Sequence, residues 1–146
     1  MAEKLAVDDA LADLLSRALK LEGFFPEFKP EHVNMLFLHS GLYAYPQGSR
    51  VVSQGEQGRD LYVIQKGTVE VRHQKEGSDV LLATMKQGDI FGEIGLLGDG
   101  VRSATVVASE ASRIFRLVDS DIRYILKNNK DLGLHLETLS KERLNS

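Results

Sequence analysis

Two periods of apolar residues divide the chain. Near the start, Val7, Leu11, Leu14, Leu15, Ala18 and Leu19 recur at the spacing of one helical face. Asp8 and Asp9 precede that face and suit the positive end of a helix. Pro30 fits the first turn of a second, short helix running to about Leu38. From Leu61 the period shortens. Leu61-Tyr62-Val63-Ile64, Val69-Glu70-Val71, Val80-Leu81-Leu82, Thr105-Val106-Val107 and Ile114-Phe115-Arg116-Leu117 are rich in β-formers. Glu70 between two valines has the alternation of a half-buried strand. The helical period then returns. Asp119 or Ser120 is expected to N-cap a helix carrying Ile122, Ile125 and Leu126. Asn128-Asn129 breaks it, and a last helix from about Asp131 aligns Leu132, Leu136, Leu139 and Arg143, with His135 beside them.

Glycine marks the same division. Of 13 glycines, 11 lie between Gly41 and Gly100, many of them 7 to 11 residues apart. Short strands with a glycine turn after each produce this rhythm, as in an all-β sandwich, barrel or roll. The layout expected is one domain over 1–146: N-terminal helices in 1–40, strands in 41–118 and C-terminal helices in 119–146.

Composition narrows the chemistry. With 146 residues, 42% hydrophobic and 27% charged, the chain can bury a core without metal or disulfide. It has no cysteine, which removes thiol catalysis, Cys-ligated zinc and iron–sulfur clusters, and fits a reducing compartment. The net charge is −3, and neither tail is basic: residues 1–30 carry four Lys/Arg against six Asp/Glu, and 119–146 carry five of each. Nucleic-acid binding, which needs clustered cations, is therefore not expected. No apolar run approaches the roughly 18 residues of a membrane span, and Met1–Ala10 lacks a signal-peptide core. A cytoplasmic protein without a membrane partner is the default expectation.

One segment interrupts the strand rhythm. In Gly88–Thr105, four glycines (Gly92, Gly95, Gly98, Gly100) fall within nine residues, which lets backbone N–H groups approach a ligand. Glu93-Ile94-Gly95-Leu96-Leu97 can form one helical turn whose N-terminal amides favour an anion. Arg102 and the hydroxyls of Ser103 and Thr105 follow. Amides, a guanidinium and a hydroxyl together suit a singly charged phosphate. A carboxylate at Glu93 would repel that phosphate unless it faces another group, and a ribose hydroxyl is the obvious one.

Phe91-Gly92-Glu93-Ile94-Gly95-Leu96-Leu97 followed by Arg102-Ser103-Ala104-Thr105 resembles the phosphate-binding cassette of cyclic nucleotide-binding domains. Tyr45–Val52, Gln54-Gly55-Glu56 and Asp60–Val71 extend the resemblance to about residues 24–144. It implies a mainly β fold with flanking α: an eight-stranded antiparallel β-roll of jelly-roll type, with its cassette at 88–105, N-terminal helices and two C-terminal helices. It assigns Glu93 to the ribose 2′-hydroxyl and Arg102 to the exocyclic phosphate oxygens. The amides near Gly92, Ile94 and Gly95, with Ser103 beside Ala104, complete the cradle. Val71, Ala83 and Met85 would line one side of the base. Phe91 is read as core. The last helix would cover the base as a lid through Leu136, Leu139 and Arg143, with Thr138 or Arg143 meeting its edge. Two departures stand out. Gly95 replaces the family's usual Ala, which should be harmless, and Val101 replaces a Pro before the Arg, which should loosen that loop.

The function implied is a cyclic nucleotide sensor, cyclic AMP favoured over cyclic GMP because Ser rather than Thr follows Arg102. Its C-terminal helices would relay binding to an unidentified protein effector. The alternative is an interaction module with the same roll whose pocket is empty or holds another small anion. Catalysis is not expected. A cupin enzyme would need a His-x-His cluster, yet residues 60–117 contain only His73, and no nucleophile elbow or Walker loop is present. His32 and His39 share a helical face without a third ligand, so neither metal nor cofactor is expected. The helix at Ile122–Leu126 is followed by about 20 residues, too few for a helix-turn-helix domain within this sequence. Met1 and the polar ending Leu144-Asn145-Ser146 are compatible with a complete short protein.

Overall fold

The structure is a computed structural model that describes residues 3–144. The two ends, Met1–Ala2 and Asn145–Ser146, on which the expectation of a complete chain rests, lie outside the described residues. In chain order the elements are β1 (Glu3–Leu5), α1 (Asp9–Ala18), α2 (Pro30–Leu36), β2 (Gly41–Tyr45), β3 (Arg50–Val52), β4 (Leu61–Lys66), β5 (Thr68–Lys75), β6 (Ser78–Lys86), β7 (Ile90–Phe91), α3 (Glu93–Leu97), β8 (Thr105–Ala108), β9 (Ser112–Leu117), α4 (Asp119–Asn128) and α5 (Lys130–Leu144). Strands β2–β9 form the roll. Five strands lie in the order β1-β2-β9-β4-β7 and four in the order β3-β8-β5-β6, every named pair antiparallel.

The five-stranded sheet is the middle of three layers, which explains an unbroken apolar run. Along β4, Leu61 and Val63 face the helices with Phe115 and Leu117, while Tyr62 and Ile64 face the other sheet with Val69, Val106 and Ile114. A strand with both faces buried loses its polar alternation. Leu11, Leu15 and Leu19 of the first helical face, Val33, Ile122, Leu132 and Leu136 complete the helical side. Among the described residues, no helix is long and apolar enough to cross a membrane.

Two local expectations are corrected. The segment 1–40 is not helical throughout, because Glu3–Leu5 pairs with Leu42–Ala44 and extends the sheet. Neither Asp119 nor Ser120 caps α4. The cap position is Val118, and the leading amides are satisfied from far away: Val118 N–H donates to Ser40 Oγ (3.0 Å) and Asp119 N–H to Asp60 Oδ1 (3.1 Å). The last helix begins with Lys130 because Asn129 caps it, its Oδ1 accepting from Leu132 N–H at 3.1 Å. The Asn129 amide also donates to the carbonyls of Leu19 and Lys20, tying α5 to the end of α1.

Candidate functional site

Strand β7 ends at Gly92, whose φ of 96° lies in the left-handed region. A Cβ there would sit 2.7 Å from the Asp60 carbonyl oxygen, so glycine is required twice over. The chain then turns into α3. Its first amides, on Glu93, Ile94 and Gly95, have no acceptor inside so short a helix. Its carbonyl end is held by Arg59, which donates through Nη1 to Gly98 at 2.8 Å and to Leu96 at 3.3 Å.

Arg102 lies opposite the helix start. It is buried, donates through Nη2 to the Asp60 carbonyl (3.0 Å) and reaches the Gly92 carbonyl at 3.4 Å. Two of its five N–H donors are thus engaged, leaving three. Its Cζ stands 5.7 Å from the Tyr62 ring centre, and Tyr62 stacks on Phe91 with centroids 4.9 Å apart. Burial pushes the Tyr62 hydroxyl above its ordinary pKa, and the Arg102 charge partly opposes this. The loop before Arg102 is not loosened by Val101. Residues on both sides bond across to the 55–58 turn, Arg102 N–H to Glu56 at 2.8 Å and Gly58 N–H to Gly100 at 2.7 Å, with Val101 bridging Gln57.

Glu93 is the buried carboxylate of the site, its side chain 2% exposed. Its Oε1 lies 2.7 Å from Nη1 of Arg143, which reaches in from the last turn of α5. The approach is an ion pair without hydrogen-bond geometry. Desolvating a carboxylate is costly unless a countercharge is at hand, and Arg143 supplies it.

These groups line one cavity of about 100 Å³. Phe91, Gly92, Glu93, Ile94, Gly95, Arg102, Ser103 and Ala104 form one wall, and Val71, Ala83 and Met85 another. The residues that the resemblance assigned to the phosphate, to the ribose and to the strand side of the base therefore converge here. The lid residues divide. Arg143 lines the cavity, but Leu136 and Leu139 do not. Leu136 is fully buried in the helical core and Leu139 packs against that core, so the apolar face of α5 is used to hold the helix on the domain. Thr138 donates to the Leu134 carbonyl within its own helix, and Thr105 accepts from the Gln54 N–H, so neither hydroxyl is a cavity group. Val52, Leu82 and Val106 also line the cavity and were not singled out by sequence. Val106 and Ala108 are the buried positions of β8, so the inward direction of Val106 was legible from alternation. Arg59 gave no sequence signal, being one more charged residue in a turn. Among the described residues, no group of three His, Asp or Glu could hold a metal ion.

The family "Cyclic nucleotide-binding domain" matches residues 43–129. The cAMP-dependent protein kinase regulatory subunit of Mycosarcoma maydis is 41% identical over 76 residues, 52% of this chain and 14% of that protein. The cAMP-activated global transcriptional regulator CRP of Salmonella typhimurium is 34% identical over 108 residues, 73% of this chain and 51% of that protein. The chain thus spans about half the length of one such relative and much less of the other. Among solved structures, a cyclic nucleotide-binding domain from Methylobacillus flagellatus superposes with a TM-score of 0.74 at 25% identity, covering 99% of this chain and 86% of that one. The Thermus thermophilus catabolite activator protein gives 0.68 at 31% identity, covering 80% and 55%. The cassette, the two-sheet roll around it and these matches agree, and the chain belongs to the cyclic nucleotide-binding domain family.

Proposed function

We propose that this chain binds a cyclic nucleotide monophosphate, cyclic AMP in preference to cyclic GMP, and acts as a sensor rather than an enzyme. The observation that carries the reading is the meeting of Arg102, the open amides of α3 and the buried Glu93 in one cavity. Arg102 and the amides are the phosphate's partners, and Glu93 is the ribose's. Two relatives named for their response to cyclic AMP support the class of ligand. Ser103, in place of Thr, supports the base preference. Ser103 is exposed and lines the cavity.

The relay follows from size. Pockets for ligands of this kind hold roughly 300–1,000 Å³, against about 100 Å³ here. Admission requires a lining element to move. Among the described residues, α5 is the one contributor from outside the roll and cassette, through Arg143. Nucleotide binding would therefore shift the placement of α5, and a protein effector would read the changed surface.

The same small volume favours a second reading, in which Arg102 and α3 hold a lone inorganic anion. Calorimetric titration of the chain with cyclic AMP, cyclic GMP and inorganic phosphate separates them. The first reading expects cyclic AMP to bind tightest and phosphate weakly. Phosphate binding as tightly as either nucleotide contradicts it, and a tighter cyclic GMP overturns the base preference.

A further inference from the structure

The Glu93–Arg143 pair joins the deepest carboxylate of the cavity to the last helical turn of the chain. The Glu93 side chain is 2% exposed and Arg143 25%. Arg143 also lies across the base wall, with Nη2 3.9 Å from the Met85 sulfur. The root of α5 is fixed by Leu132 and Leu136 in the core and by the Asn129 cap, whereas Glu137, Thr138, Lys141 and Glu142 of its outer half are exposed. Leu139 packs that half against the core, and the charged contact at the far end acts as a second tether for it.

We propose that Arg143 is an internal competitor for the ribose subsite: its guanidinium holds Glu93 until a ribose 2′-hydroxyl replaces it, and that exchange releases the outer half of α5. The proposal rests on the cyclic nucleotide reading of the cavity. Three observations carry it. Glu93 Oε1, the atom closest to Arg143, is buried and accepts no hydrogen bond despite the 2.7 Å approach. A directed hydroxyl donor therefore offers this atom something the guanidinium does not. The cavity, at about 100 Å³, is too small for a nucleoside phosphate while Arg143 lines it. Finally, Arg143 Nη2 lies 3.9 Å from the Met85 sulfur on the wall assigned to the base, so the guanidinium stands in space that a bound nucleoside would need.

The consequence is quantitative. When a protein is binding-competent for only a fraction of the time, the observed dissociation constant is the intrinsic one divided by that fraction. A pair closed about nine-tenths of the time weakens binding about tenfold. Removing the competitor should recover that factor. A purely base-contacting Arg143 would give the opposite sign.

The test uses the full chain and its Arg143→Gln and Arg143→Ala variants, with equal circular dichroism spectra as the folding control. Without nucleotide, amide hydrogen exchange across 137–143 should be faster in both variants than in the parent. With cyclic AMP as probe, both variants should bind about tenfold tighter, and added nucleotide should raise exchange in the parent but not in the variants. Unchanged exchange without nucleotide overturns the tether whatever the ligand proves to be. Equal or weaker cyclic AMP binding by the variants, with the parent binding normally, overturns the competition alone. Absence of binding by all three proteins overturns the nucleotide reading together with the competition, while the exchange comparison still decides the tether.

Discussion

A Cβ on Gly95 would stand 2.8 Å from the carbonyl oxygen of Gly58 and 3.2 Å from Nη1 of Arg102. The second turn of the cassette is thus packed directly on the 55–58 turn, backbone against backbone. The resemblance gives alanine as the family's usual residue at this position and the change to glycine as harmless. In this chain alanine would not fit as it stands, because the atom in the way is a backbone carbonyl and cannot rotate aside. Gly95→Ala should destabilise the fold by about 1–3 kcal/mol, the usual cost of overpacking. It should also displace Arg102 and weaken nucleotide binding. Urea unfolding together with titration checks both, and an unchanged midpoint would show that the turn yields freely.

Arg59 should matter to the ligand more than to the fold. Its side chain does not line the cavity, yet its bonds to the carbonyls of Gly98, Leu96 and Gly95 hold α3 in place, and the amide end of that turn is the one proposed to meet the anion. Arg59→Ala should lower stability by about 1 kcal/mol and weaken cyclic nucleotide binding several-fold. Measured affinity equal to the parent would mean that α3 is held adequately by its own turn and by Arg102.

Ser40 is a long-range cap. Its Oγ accepts from Val118 N–H at 3.0 Å and donates to the buried Asp121 carboxylate at 2.7 Å. Ser40→Ala leaves two buried groups short of a partner, so the expected loss is about 1–3 kcal/mol. Thermal unfolding reads it directly.

His135 sets a pH dependence. Burial, then the charges of Lys20 and Arg143, hold its pKa below the ordinary 6.5, with Glu142 opposing. The unfolded chain therefore takes up a proton before the folded one as pH falls through 6.5. The stability His135 contributes is present above that value and is lost on acidification. Between pH 7.5 and 5.5 the parent's Tm should fall further than that of His135→Gln. Parallel curves would remove His135 as the cause.

How much of this was legible depended on the range of the contacts involved. Glycine spacing and β-forming runs located β4, β5, β6, β8 and β9, since both are local properties, while the count of eight strands came from the resemblance. The cassette was legible because its chemistry is contiguous: Gly92, Glu93 and Arg102 lie within one short segment. Strand β1 was not, because three residues such as Glu3–Leu5 become a strand only where β2 offers an open edge. The start of α4 misled for the same reason. Asp119 has the chemistry of a cap, but Ser40 and Asp60 already occupy that role from other parts of the chain. The lid face of α5 was read as a stripe of leucines, and a stripe does not say what it packs on. Leu132 and Leu136 went to the core, leaving Arg143 to reach the cavity.

The proposed site has Arg102 read the phosphate and Glu93 the ribose of one cyclic nucleotide. Its most direct test is a calorimetric titration of the parent and of Arg102→Ala with cyclic AMP, and of the parent with the 2′-deoxy analogue. The parent should bind one cyclic AMP per chain. Loss of the guanidinium should weaken binding by about 2–4 kcal/mol, or ~30- to 1,000-fold, and loss of the 2′-hydroxyl by about 1.5–3 kcal/mol. Equal affinity in all three titrations, or no binding by the parent, would contradict the account.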